Sequence, residues 1–164
     1  VSGARHPDVP GREAGVGPYG RIGAMARWVS GVGVDLTELG EAFRTFWQER
    51  HLATLTTSRP DGTPHVVPVG VTLDLATGTA RVISSRDSRK VRNVLAAGPE
   101  GALVAVCQVD GRRWSTLEGR AVIREDPAAV ADAELRYTAR YKPPRQNPLR
   151  AVIEISVTRV LGNV

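Results

Sequence analysis

The stretch VISSRDSRKVRN, residues 82–93, crowds three serines and four cations into the point where a β-type pattern gives way to a helical one. Ser84 and Ser85 close the strand pattern, and Ser88 opens a helix whose first backbone N–H groups have no intrahelical partner. Such a helix start attracts anions through those donors and the local dipole. Serine hydroxyls, the planar fork of Arg89 and the point charge of Lys90 complete a cradle suited to phosphate. A solvated basic turn with an ordinary serine cap would use the same residues, so the segment alone leaves both readings open.

A second cationic stretch, RYTARYKPPRQNPLR (136–150), carries Arg136, Arg140, Lys142, Arg145 and Arg150 without an acid. Cations favour the end of a helix, and a basic loop can also clasp a carboxylate or phosphate. Metal chemistry is not expected. His6, His51 and His65 show no ligand spacing, and Cys107, the lone cysteine, sits in LVAVCQV and reads as a small buried hydrophobe.

These groups sit on a chain of 164 residues with net charge +5 and pI near 10.1. The balance permits an anionic small-molecule partner. Two Phe, three Tyr and three Trp are too few to suggest a base-stacking surface, so nucleic acid is not expected. No apolar run approaches the roughly 18 residues of a membrane span, and the start has no apolar signal core. A cytoplasmic protein is the expectation. Residues 1–33 are rich in Gly, Pro and Arg and read as a flexible arm, with Met25 a candidate true start. Residues 34–164 read as one domain.

Leu36, Leu39, Phe43, Phe46 and Trp47 recur at helical spacing behind Asp35, a candidate N-cap. LATLTTS, then HVVPVGVTLD over 65–74, then ARVISS follow as strands separated by turn residues. SRKVRNVLAAG reads as a short helix that stops at Gly98. GALVAVCQVDG and RRWSTLEGRAVIRE form a hairpin over a D-G turn. DPAAVADAELRYTARY is a helix with Asp126 as cap and Pro127 at its first position. RAVIEISVTRVLGNV supplies a sixth strand. Hairpin connections without repeated βαβ units imply a mainly β (β+α) fold, with an antiparallel, closed or partly closed six-stranded barrel flanked by helices.

VISSRDSRKVRNV is similar to the phosphate-binding segment of split-barrel flavin and deazaflavin oxidoreductases related to pyridoxamine 5′-phosphate oxidase. Ser84, Ser88, Arg89 and Lys90 fall on the matching positions. ERHLATLTT, PHVVPVGVT, QVDGRRWSTLEGRA and DAELRYTARYKPPRQNP resemble the F420-dependent biliverdin reductase-like branch of that family. The resemblance implies a split β-barrel homodimer with a cofactor ring in a groove between subunits. It implies that His65, Val66, Val67, Pro68 and Val69 line the ring, and that Gln108 and Trp114 reach it from the partner subunit. Arg140, Lys142 and Arg145 would hold the anionic tail of the cofactor or the propionates of the substrate.

The implied reaction is hydride transfer from reduced coenzyme F420 to a methine carbon of a tetrapyrrole such as biliverdin. An FMN-dependent oxidase and a non-catalytic flavin- or tetrapyrrole-binding protein are the alternatives. The ending SVTRVLGNV lacks the tryptophan-containing segment expected for pyridoxamine phosphate. No residue is assigned as the catalytic acid.

Overall fold

The computed structural model describes residues 34–164. The expected arm over 1–33, with Met25, lies outside the described residues. Asp35 accepts the Thr37 N–H at 2.9 Å and opens a 3-10 turn, Leu36–Leu39. Gly40, at φ 88°, then breaks the turn from helix α1 (Gly40–Gln48), a backbone conformation that glycine adopts without strain. The one helix expected here is thus two pieces, but its apolar stripe holds: Leu36, Phe43, Phe46 and Trp47 are buried.

Strands β1 (Ala53–Ser58) and β2 (Pro64–Val69) form a hairpin. Asp61 shapes its turn by accepting the Thr63 N–H at 3.0 Å. Then come β3 (Thr72–Asp74), β4 (Thr79–Ser85), helix α2 (Arg89–Ala96), β5 (Ala102–Asp110), β6 (Arg113–Arg124), helix α3 (Pro127–Arg140) and β7 (Arg150–Gly162). All pairings are antiparallel, in the order β2-β1-β5-β6-β7-β4-β3.

The sheet has seven strands rather than the six expected, because the long strand over 65–74 is broken at Gly70 and Val71. There the ladder is replaced by side chains: the Val71 N–H donates to the Tyr141 hydroxyl at 3.1 Å, and its carbonyl accepts from Arg140. Those partners satisfy the backbone, so the chain can leave one edge of the sheet and enter the other. From Val69 to Thr72 the chain can reach only about 11 Å. The sheet must therefore curl until its two edges approach at this corner, yet β2 and β3 do not pair. The result is a split barrel that is not closed.

Inside lie Leu55, Val71, Val82, Val106, Leu117, Ile153 and Ile155, in one core with Phe46. A register shift falls at Glu118/Gly119 of β6, where a Cβ on Gly119 would collide with the Ser156 carbonyl oxygen. Pro68 causes no bulge. It sits in the regular register of an edge strand, where a missing N–H is tolerated.

Candidate functional site

Helix α2 starts as expected but not with an ordinary cap. Ser88 holds the extended N-cap conformation, yet its hydroxyl makes no capping bond. It lies instead 2.9 Å from the buried Ser84 hydroxyl at the end of β4. The first N–H groups of α2 consequently keep their capacity to bind an anion. Val91 and Val94 anchor the helix in the core, which leaves Arg89 exposed and Lys90 half-buried. Burial holds the Lys90 ammonium below its ordinary pKa. Arg86 turns away to Glu125 at 3.0 Å.

The start of α2 faces β2. Burial lowers the pKa of His65, and the charges of Arg59, Lys90 and Arg89 lower it further. Its Nδ1 lies 3.5 Å from the Thr57 hydroxyl, which accepts a 2.9 Å bond from the buried Asn93 amide.

Beside this cradle opens a cleft of about 660 Å³. Pro68, Val69 and Gly70 at the end of β2 form one side with Ile83 and Lys90, and the loop from Lys142 to Asn147 forms the other. Tyr137 and Arg150 complete it, and no carboxylate lines it. Arg150 is paired with Glu134 at 2.8 Å, whereas Lys90, Lys142 and Arg145 form no ion pair among the described residues. The cleft is therefore cationic, with an apolar strip along β2. It suits a molecule bearing acidic groups.

Of the residues expected at a site, the fold brings Pro68, Val69, Lys90, Lys142 and Arg145 together in this cleft. Ser84, Ser88 and Arg89 adjoin it through the cradle, and His65, Val66 and Val67 lie further along β2. Gln108 and Arg140 do not line the cleft. Gln108 is fully buried; its amide donates to the Phe46 carbonyl at 2.7 Å and its oxygen accepts from Arg140 at 2.8 Å. Arg140 also holds the carbonyls of Glu49 and Val71, at 2.7 Å and 2.5 Å. Its guanidinium is engaged inside the chain. Trp114 is half-buried on β6 opposite Val109, outside the cleft. Cys107 is half-buried on the outer face, because strand alternation sends Val106 and Gln108 inward.

Residues that sequence reasoning did not single out are Tyr137, Tyr141, Thr57 and Asn93. The two tyrosines had a signal, since i, i+4 spacing places them on one face of α3. Glu49, His51 and Asp110 also converge, with ligand atoms within 4.8 Å of one another. Arg113 bridges both carboxylates, so this cluster is an ion-pair network.

Residues 39–163 match the family model described as pyridoxamine 5′-phosphate oxidase. The chain is 51% identical over 127 residues to the F420H(2)-dependent biliverdin reductase of Mycobacterium tuberculosis (strain CDC 1551 / Oshkosh), covering 77% of this chain and 90% of that protein. Its fold is similar to a solved F420 reductase, with TM-score 0.59 and 25% identity over 74% of this chain and 98% of that one. It is also similar to a conserved hypothetical protein from Mycobacterium tuberculosis, with TM-score 0.62 and 23% identity over 74% and 82% of the two chains. Matched along nearly all of its described length and folded as a split barrel, the chain belongs to the pyridoxamine 5′-phosphate oxidase family.

Proposed function

We propose that this protein is an F420H2-dependent reductase that acts on a linear tetrapyrrole such as biliverdin. One observation carries the reading. The fold gathers Lys90, Lys142 and Arg145, unpaired among the described residues, around the apolar backbone of Pro68–Gly70 in a cleft without acids. The 51% identical relative, named for that cofactor and substrate, supports it.

The residues fit coenzyme F420. Its phosphate has the free N–H groups of α2, the Ser84–Ser88 hydroxyl pair, Arg89 and Lys90. Its ring has the edge strand β2 over His65–Val69. Its acidic tail and the substrate propionates have Lys142 and Arg145. Bound there, the reduced deazaflavin supplies the hydride. The protein contributes orientation and a field that favours anions over water.

A homodimer in the cytoplasm completes the reading. Val66, Leu103 and Val109 leave an apolar strip exposed on the outside of β2 and β5, and a second copy would cover it and bring Trp114 towards the partner's cleft. No helix among the described residues is long and apolar enough to cross a membrane.

Side-by-side titration with F420 and FMN tests the cofactor, and loss of biliverdin absorbance over many turnovers with reduced F420 tests the activity. Preference for FMN would shift the reading to a flavin oxidase, and binding without turnover would make the protein a carrier. Replacing Arg89 and Lys90 together by Ala should weaken F420 binding by roughly 1.5–3 kcal/mol for each lost charged contact. Unchanged affinity would remove the phosphate from the cradle.

A further inference from the structure

Tyr137 lines the cleft, and its ring is held from two sides. One edge rests against Gly70, where a Cβ would come within 2.6 Å of the Tyr137 ring. A face meets Tyr141, with ring centroids 4.8 Å apart and planes inclined by 31°. Tyr141 is itself fixed: its hydroxyl donates to the His51 carbonyl at 2.7 Å and accepts the Val71 N–H at 3.1 Å. The Tyr137 hydroxyl, by contrast, makes no hydrogen bond among the described residues. A rigidly placed phenol in the wall of the cleft, with its hydroxyl unpartnered in the fold, can meet a ligand there.

Its position says what that is. The cradle lies at the start of α2, and the ring-lining stretch runs from His65 to Val69. Tyr137 packs on the next residue, Gly70, and lines the cleft together with Lys142 and Arg145. We infer that Tyr137 is a specificity-determining residue that hydrogen-bonds the polar edge of the tetrapyrrole substrate through its hydroxyl while its ring borders the substrate plane. The inference rests on the proposed function and adds the residue that selects the acceptor rather than the cofactor.

Tyr137→Phe isolates the hydroxyl, because the ring, its fit on Gly70 and its contact with Tyr141 survive. Biliverdin affinity is read by absorbance titration without F420, F420 affinity by fluorescence titration, and folding by thermal unfolding. The expected result is biliverdin binding weakened about 3- to 10-fold, the worth of one neutral hydrogen bond, with F420 affinity and Tm unchanged. Unchanged biliverdin affinity overturns the inference. So does a loss confined to F420, which would place the hydroxyl on the cofactor, and so does a lowered Tm, which would give it a structural partner. Failure of the wild-type protein to bind biliverdin would instead sink the proposed function, so the two failures are separable.

Discussion

Lys90 sits half-buried at the start of α2, where desolvation lowers its pKa in the absence of any bound anion. An anion in the cradle would restore what burial removes, so Lys90 charge and ligand binding are coupled. His65 carries the same logic into a pH dependence. Its folded pKa lies below the ordinary imidazole value, through burial first and then the charges of Arg59, Lys90 and Arg89. The unfolded chain therefore binds the proton more readily than the folded one. Stability from this site is present above the unfolded imidazole pKa and is lost as pH falls through the folded value. Denaturant unfolding followed between about pH 8 and pH 5 should show a declining limb that flattens in His65→Asn. Equal slopes in both proteins would mean that burial and the neighbouring cations do not depress the His65 pKa.

At the scale of elements, the break between β2 and β3 organises the site. The end of α3 reaches it through Arg140 and Tyr141, which hold Val71, Glu49, His51 and Gln108 by hydrogen bonds. The same helix end launches the basic loop at Lys142. One side of the cleft and the root of the other are therefore anchored to a common point. Gly70→Ala should drive a methyl into the Tyr137 ring and destabilise the fold by about 1–3 kcal/mol, read from urea unfolding. A neutral effect would mean that the tyrosine pair swings freely. A glycine inside a strand pattern marks a place of close approach, but the sequence does not say which groups approach Gly70. Tyr137 and Tyr141 lie about 70 residues away along the chain, and only the packing of α3 brings them there.

For the whole molecule, β5 carries a message about assembly. Its residues are apolar on both faces: Val104 and Val106 point inward, while Leu103 is 70% exposed and Val109 60% exposed. A strand apolar on both faces is normally covered on both. The proposed homodimer supplies that cover, so the protein should sediment as a dimer and Leu103→Glu should shift it towards monomer. A wild-type monomer at micromolar concentration would leave the face unexplained and remove the partner from the cleft.

Sequence by itself determined most of the strands and the helix starts, because each depends on neighbours in the chain. Alternation marks a half-buried strand, and Asp126 and Ser88 mark helix starts. The tertiary structure alone decided which cations remain available. Arg140 and Lys142 stand two residues apart, yet the guanidinium of Arg140 is consumed by buried carbonyls and Gln108, while Lys142 opens onto the cleft. Composition cannot separate them, because a buried carbonyl and a bound anion make the same demand on a donor. Which demand a side chain meets depends on the groups that folding sets opposite it.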